Sequence, residues 1–271
     1  VGEQQITGVD SSENIFAVDY DIFNDKFHFI LDGDYYSYSF KEKILTKEID
    51  FGSVEDWEYC EPVEVRNDSK GNIFILDSKL ERLNIYSKDY KFVKNITNIG
   101  KKPTGFYIDE FDNIYVAAAG ENCVRKLSPS GQLIYKFGEY GVFETCFSYY
   151  YEILSEENKE KRRDVKEFML MDNGRIYSMK IAVDRNGYIY VLDNKSMKIS
   201  VFDQFFKYHY SFGEKESIVQ MFSGKREPGR FVWDEKSEDN LRDIAVDGGY
   251  VYIIDNLGKR IDIFKDGRYY N

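Results

Sequence analysis

Histidine and cysteine are scarce in this chain, which narrows the chemistry that it could perform. The 271 residues include two histidines, His28 and His209, which stand in the strand-like stretches FHFIL and KYHYSF. Two histidines so far apart make a poor metal site. The three cysteines, Cys60, Cys123 and Cys146, lack the C-x-x-C spacing of zinc and redox sites. We therefore expect both histidines on sheet surfaces and the cysteines packed as small hydrophobic residues.

Motifs for nucleophilic or nucleotide chemistry are also missing from the sequence. It contains no G-x-S-x-G nucleophile elbow, no G-x-x-x-x-G-K-[ST] phosphate loop and no dinucleotide fingerprint. Acidic clusters can bind calcium, but no D-x-[DN]-x-[DN]-G loop is present. We therefore predict no cofactor and no metal, and we leave calcium and a catalytic site made of carboxylates, or of Tyr and Arg, as open alternatives.

Two series of recurrent aspartates have the spacing of structural residues. Each member stands at the end of a strand-like stretch, where an Asp side chain accepts hydrogen bonds from backbone N–H groups of the turn. The first series, after the second strand of each unit, is Asp32, Asp77, Asp193 and Asp255, and the second, at the first hairpin turn, is Asp19, Asp109, Asp184 and Asp247. We interpret both series as turn residues.

The elements that position these residues recur along the chain. Ile181–Asp193 (IAVDRNGYIYVLD) resembles YIDEFDNIYVAA at Tyr107–Ala118 and IAVDGGYVYIID at Ile244–Asp255. Shorter copies, KGNIFILD and KFHFILD, begin at Lys70 and Lys26. Each copy reads as a strand, a turn and a second strand, and strands such as KISVF and LIYKF follow. The repeating unit therefore contains four short strands.

The spacing of the repeat predicts an all-β fold, a β-propeller of four-stranded antiparallel blades. The anchors Asp32, Asp77, Ala118, Asp193 and Asp255 are 45, 41, 75 and 62 residues apart, and a unit of roughly 40 to 50 residues is typical of a propeller blade. Five blades are directly visible. Six are expected from the length, the sixth coming from Val1–Asp19 with C-terminal strands or from Phe168–Ser178.

At these residues the chain resembles a known family. The pattern I-A-V-D-x-x-G-x-I-Y-V-x-D, followed by K-I-x-V-F and then F-G, resembles the NHL-repeat family of β-propellers. It is also similar to the related six-bladed propellers of bacterial surface and periplasmic proteins. Some propellers of this kind are lyases or hydrolases that use several histidines, often around a metal at the funnel. With two histidines, this chain departs from that pattern.

Residues 1–271 are expected to form a single propeller domain with two insertions, 139–178 and 214–241, on one face. In a meander blade the turn between strands two and three lies on the same face as the connection to the next blade. Function on a rigid scaffold usually resides in such loops. Residues 152–171 read as a helix, either one that shields the propeller edge or a lid over the funnel.

Candidate ligand-binding residues lie on that decorated face. Thr104, Lys180 and Asp243, with Arg242 beside the last, should begin inner strands near the axis, where they would either orient a small polar ligand or form ion pairs between blades. Glu121 and Asn122 belong to a turn between strands two and three. Aromatic stacking candidates complete the set: Trp57 and Trp233, in blade connections.

Charge and hydropathy exclude two classes of partner. The formal net charge of −11 argues against nucleic acid, which is bound largely by Lys and Arg. The apolar run Ile114–Ala119 is far shorter than a membrane span. The absence of an initiator Met and of a signal segment leaves the compartment open. The family resemblance and the Lys-, Asn-, Tyr- and Ile-rich composition favour an extracytoplasmic bacterial protein.

These observations predict a monomeric, non-catalytic scaffold that binds a protein, a peptide or a small polar ligand on the decorated face. The alternative is an enzyme of lactonase or lyase type, with or without a metal, acting in the axial funnel.

Overall fold

The computed structural model describes the strands of five four-stranded sheets, one short pair of strands and most of the turns between strands. The described residues are 15–21, 26–31, 34–39, 41–50, 61–138, 179–194, 196–216, 230–232, 241–255 and 260–269.

Each of the five sheets is a four-stranded antiparallel meander whose strands pair in chain order. Blade 1 contains β1 (Ile15–Asp21), β2 (Lys26–Leu31), β3 (Asp34–Ser39) and β4 (Ile44–Ile49). Blade 2 contains β5 (Pro62–Asn67), β6 (Ile73–Asp77), β7 (Arg82–Tyr86) and β8 (Phe92–Ile96). Blade 3 contains β9 (Pro103–Ile108), β10 (Ile114–Ala118), β11 (Cys123–Leu127) and β12 (Leu133–Phe137), with a 3-10 turn at Ala119–Glu121.

In the sequence, a short pair of parallel strands lies between the last two blades. Blade 4 contains β13 (Met179–Val183), β14 (Ile189–Asp193), β15 (Lys198–Phe202) and β16 (Tyr208–Phe212). Next come β17 (Glu214–Glu216) and β18 (Arg230–Val232), which pair parallel to each other. Blade 5 contains β19 (Leu241–Asp247), β20 (Tyr250–Asp255), β21 (Arg260–Lys265) and β22 (Arg268–Tyr269). Leu241 is therefore already part of blade 5.

The five blades form a β-propeller, as the spacing of the repeat predicts. The first strands of successive blades lie in contact, β1 with β5, β5 with β9, β9 with β13 and β13 with β19. These strands therefore line the axis, and the fourth strands lie outermost. A sixth blade is not part of the described residues. The predicted helix at 152–171 and the sixth-blade candidate Phe168–Ser178 lie outside the described ranges.

The hydrophobic core lies between neighbouring blades. All residues of β6, β10 and β14 are buried, because each of these middle strands is covered on both faces. One apolar layer joins Ala117 and Val124 of blade 3 to Ile181 and Val191 of blade 4. Blade 3 thus packs directly on blade 4, and residues 139–178 connect two blades that are already in contact. The other pairs of successive blades share equivalent layers.

The recurrent aspartates act as turn residues in most of the described blades. Asp109 Oδ1 accepts backbone N–H bonds from Phe111 at 3.0 Å and from Asn113 at 2.8 Å. Asp77, which is almost fully buried, accepts the N–H of Leu80 at 3.0 Å. Asp19 differs from the prediction, because it lies within β1, paired with His28, rather than in the hairpin turn. Asp32 lies outside the described residues.

We use the name loop face for the end of the propeller that carries the turns between second and third strands and the blade connections. Both features meet there, because the end of each second strand pairs with the start of the first. The Gly120 N–H, in such a turn, donates to the Lys101 carbonyl of a connection at 3.0 Å. Asn194 bonds both backbone groups of Leu241 at 2.6 Å, which joins blade 4 to blade 5.

Candidate functional site

Equivalent positions of the inner strands bring charged residues together at the axis. Glu64 of β5, Gly105 of β9 and Lys180 of β13 pair with Leu76, Ala117 and Leu192 of the adjoining second strands. They therefore occupy the same level in three successive blades. Asp243 of β19 stands next to this level, at the irregularity between Leu241 and Ile244. Four blades thus contribute to one site, which we call the axial cluster: Glu64, Arg66, Gly105, Lys180 and Asp243.

The charged groups of the axial cluster are paired with one another. Lys180 Nζ lies 3.1 Å from Glu64 Oε2, and Arg66 NH2 lies 2.6 Å from Glu64 Oε1. Arg66 NH2 is also 3.7 Å from Asp243 Oδ2. The side chains of Glu64, Lys180 and Arg66 are 3%, 11% and 14% exposed, against 31% for Asp243. The network therefore joins blades 2, 4 and 5, and Asp243 is its most accessible member.

Blade 3 contributes a glycine, whose lack of a side chain leaves room for the ion pair, and a backbone donor. A Cβ atom at Gly105 would lie 3.0 Å from Lys180 Cδ, 3.1 Å from Glu64 Oε2 and 2.8 Å from the Met179 carbonyl oxygen. A side chain here would therefore collide with the ion pair that passes over the strand. The Phe106 N–H, just beyond, donates to Glu64 Oε2 at 3.3 Å. Glycine at this position allows blades 2 and 4 to be joined across blade 3.

Burial and charge act in opposite directions on Glu64. Its removal from water raises the pKa of the carboxyl group, because burial disfavours the ionised form, whereas the Lys180 ammonium and the Arg66 guanidinium lower it. A buried carboxylate in such a site is tolerated only while its partners remain.

The predicted axial residues have different roles in the structure. Lys180 forms an ion pair between blades, which was one of the two alternatives, but its partner Glu64 lies in blade 2, beyond the adjacent blade 3. Asp243 approaches Arg66. Thr104 is one residue away from the equivalent level, which Gly105 occupies because the β9–β10 ladder shifts register there. Its hydroxyl donates to the Met179 carbonyl at 3.1 Å and accepts the Met179 N–H at 2.8 Å. Arg242 is half-buried beside Asp243.

Glu64 and Arg66 were not among the predicted site residues, although the repeat aligns their strand with the other first strands. The stretch PVEVR of β5 aligns with the first strands of the other blades, once each is counted back from the end of its second strand. Pairing across a bulge decides which residue faces the axis, and this register cannot be read from strand composition alone.

Glu121 and Asn122 form a second polar site on the loop face. Arg125 NH2 donates to both carboxylate oxygens of Glu121 at 2.8 Å, and Lys136 Nζ donates at 2.9 Å. The Lys101 N–H of the blade connection adds a bond of 3.0 Å. Asn122 is buried in a left-handed conformation at φ 51° and closes the turn. Glu121 therefore fastens a turn of blade 3 to the connection that precedes this blade.

The remaining candidates do not join either site. Trp57 and Trp233 lie outside the described residues. His209 is exposed on β16, as expected. The expectation of a surface position is wrong for His28, which is fully buried because blade 2 covers its face of blade 1. Its Nδ1 atom shares a 2.5 Å hydrogen bond with the Tyr35 hydroxyl, and the Tyr90 ring of blade 2 packs edge-on 6.1 Å away.

Within the described ranges, no group of three or more His, Cys, Asp or Glu side chains has the arrangement of a metal site. The same part of the chain holds no helix with the length and apolar character needed to span a bilayer.

Comparisons with known proteins support the fold and leave the family open. No protein-family model and no curated protein matches the chain. It is similar to a solved streptogramin B lyase, with 11% identity over 94% of this chain and 67% of that one, at a TM-score of 0.59. Virginiamycin B lyase from Staphylococcus aureus gives 9% identity, coverages of 98% and 70%, and a TM-score of 0.57. A chain of the nidogen/laminin complex is 10% identical over 96% of this chain and 80% of that one, at a TM-score of 0.60. Identities this low show a shared propeller fold and nothing further.

The axial ion pair yields a prediction for folding stability. Lys180→Met leaves the buried Glu64 carboxylate without its nearest ammonium group, and we expect a loss of about 3 kcal/mol in the free energy of unfolding. The double variant Glu64→Gln with Lys180→Met should recover part of this loss, because the uncompensated charge is gone. Urea unfolding at neutral pH measures both variants. Equal stability of the single and double variants would contradict the role of the pair.

Glu121 yields a prediction for pH dependence. Burial would raise its pKa, but the hydrogen bonds from Arg125, Lys136 and the Lys101 amide lower it from 4.5 to about 2. A carboxyl group whose pKa is depressed on folding stabilises the protein above its unfolded pKa and loses this contribution as the pH falls toward the folded value. We expect Glu121→Gln to cost about 1–2 kcal/mol at pH 6 and progressively less from pH 4.5 toward 2. Unfolding curves recorded across this range test the convergence, and a constant difference would contradict it.

Proposed function

We propose that this propeller is a non-catalytic binding scaffold that recognises a protein, a peptide or a small polar ligand through its loop face. The observation that carries the proposal is the pairing within the axial cluster. A funnel enzyme needs acids, bases or nucleophiles that are directed at a substrate. Here Glu64 is enclosed by Lys180, Arg66 and the Phe106 N–H instead. These groups hold blades together, which suits a rigid platform for binding.

The loop face offers surface chemistry that suits a binding role. Between blades 2 and 3 it presents the exposed Lys101 and Lys102, which both donate hydrogen bonds to Glu81. Lys101 Nζ lies 2.7 Å from Glu81 Oε2, and the backbone nitrogen of Lys102 lies 3.1 Å from Glu81 Oε1. These hydrogen bonds lower the pKa of the Glu81 carboxyl group. The turn is thus rigid and charged while remaining open to solvent. In the sequence, both tryptophans, Trp57 and Trp233, fall in segments that connect blades.

The structural neighbours support both a binding role and its alternative. One is a chain of a protein–protein complex, nidogen with laminin, and others are streptogramin-type lyases. The competing proposal is an axial enzyme of lactonase or lyase type. The position of Glu64 at the axis favours this alternative, because burial raises the pKa of its carboxyl group, as in carboxylic acids that act as general acids.

The same proposal covers the number of blades, the cellular compartment and the oligomeric state. The NHL-type pattern of Ile181–Asp193 and the unit length of about 45 residues support a ring of six blades. The resemblance and the composition support an extracytoplasmic bacterial protein that acts as a monomer.

Tryptophan fluorescence tests recognition on the loop face. We expect a ligand found by a thermal-shift screen of cations, sugars, lactones and short peptides to change tryptophan emission, because Trp57 and Trp233 are the only tryptophans and both lie in blade connections. The variants Trp57→Phe and Trp233→Phe show which of the two tryptophans responds to the ligand. Phe111→Ala is the matched control, since this aromatic ring is 72% exposed on the opposite face. The proposal would be contradicted by a ligand that binds without changing tryptophan emission and whose binding Phe111→Ala weakens, because that ligand would bind the opposite face.

Catalytic assays separate the two proposals. With lactone and cyclic-ester substrates, with and without divalent cations, we expect no turnover above buffer from the native chain. Glu64→Gln, checked for folding by circular dichroism, provides the comparison. Turnover by the native chain that disappears in a folded Glu64→Gln variant would replace the binding proposal with the enzyme.

A further inference from the structure

The outer strand of blade 2 exposes apolar side chains that the other contacts of the blade do not cover. Phe92 is 59% and Val93 55% exposed on β8, whereas the strand ends in the buried Ile96. The Phe92 ring rests against the buried Tyr86, with 5.7 Å between ring centroids. It is therefore held in place at the surface, and β8 presents an ordered apolar strip.

Positive charge surrounds this strip in a chain that is acidic overall. Lys94 on β8, and Lys88 and Lys91 in the turn before it, are exposed, with Asp89 as the acid in that turn. Within the described part of the chain, none of these three lysines makes a side-chain ion pair. The protein carries a net charge of −11, so this local excess of cations stands apart from the rest of its composition.

Lysines on two other outer strands are paired within the protein. Lys47 of β4 bonds to Asp34, and Lys136 of β12 lies 2.9 Å from Glu121. β12 also exposes apolar side chains, with Leu133 54% and Ile134 52% exposed, although its Tyr135 stacks on Phe206 of blade 4 at 4.3 Å. What distinguishes β8 is that its exposed apolar side chains lie beside lysines that are directed to solvent.

The backbone of β8 can accept another strand. It ends the sheet order β5-β6-β7-β8, and no strand pairs with its outer side among the residues that the structure describes. An irregularity between Ile85 and Tyr86 interrupts the β7–β8 ladder at Val93 and leaves a regular edge over Lys94–Ile96. An exposed edge of this kind binds extended peptides through main-chain hydrogen bonds, with side chains providing specificity.

A second copy of the chain fits this edge poorly. A two-fold antiparallel pair centred on Lys94, the middle residue of β8, would place Lys94 opposite Lys94 of the other copy. A pair centred on Asn95 would make the two Lys94 side chains diagonal neighbours on the same face. Like charges directly opposite each other destabilise a ladder, and edge lysines are a common means of preventing such self-pairing. An acidic strand would meet complementary charge at the same position.

We propose that the outer edge of blade 2 is a docking site for an extended acidic protein segment that contains apolar residues. The segment pairs with the backbone of Lys94–Ile96, places apolar side chains on Phe92 and Val93, and directs carboxylates to Lys91 and Lys94. This surface is separate from the loop face, so the proposal holds or fails independently of the function proposed above.

Fluorescence anisotropy with synthetic peptides tests the site on the full chain at low ionic strength. The probe is a labelled, end-blocked peptide of alternating glutamate and valine, compared with a lysine–valine peptide and with a glutamate–valine peptide interrupted by proline. We expect binding of the first peptide alone, because proline removes main-chain donors and lysine reverses the charge. The double variant Lys91→Glu with Lys94→Glu should weaken binding by about tenfold or more.

Lys207→Glu provides the matched control. Lys207 is exposed and directly precedes β16 of blade 4, as Lys91 directly precedes β8 of blade 2. We expect Lys207→Glu to leave the affinity for the acidic peptide unchanged. Equal binding of the proline-interrupted peptide, equal loss in Lys207→Glu, or no binding of the acidic peptide would overturn the proposal. So would concentration-dependent dimerisation, measured by sedimentation, that the double variant abolishes, because it would assign the edge to a second copy.

Discussion

Direct packing of one blade on the next is the interaction on which the rest of this structure depends. Each sheet has two apolar faces, and only a neighbouring sheet on either side can bury both. The layers that join Ala117 and Val124 to Ile181 and Val191 are one instance. Because burial of this area is the main favourable contribution to folding, blades remain in contact even where a long connection separates them in sequence.

Convergence at the axis is the direct consequence of this packing, and it creates an electrostatic problem. The first strands bring the buried Glu64 and Lys180 close together, beside the partly exposed Asp243. Charges buried in this way are stable only when they are paired. The small size of Gly105 allows the pairing, since any side chain there would separate the carboxylate from the ammonium group. The axis is thus held by ion pairs within a propeller whose large contact layers between blades are apolar.

The surfaces are free of this constraint, and there the blades differ from one another. The outer strands all end a sheet, but their lysines are paired in blades 1 and 3 and directed to solvent in blade 2. The loop face similarly combines a rigid turn at Glu121, fixed by Arg125 and Lys136, with the exposed lysines of the preceding connection. A repeated scaffold therefore supports distinct surfaces, because positions outside the layers between blades need not follow the repeat.

The sequence alone determined the architecture, since strand composition, turn residues and a recurring unit are local properties that each blade repeats. It also identified Asp77 and Asp109 as turn residues, because an Asp side chain bonds to backbone groups only a few residues away. Tertiary structure decided the rest. Whether His28 is buried depends on the neighbouring blade, and the partner of Lys180 lies 116 residues away in sequence. The register shift that placed Gly105 rather than Thr104 at the axis arises from pairing across a bulge, which no local pattern records.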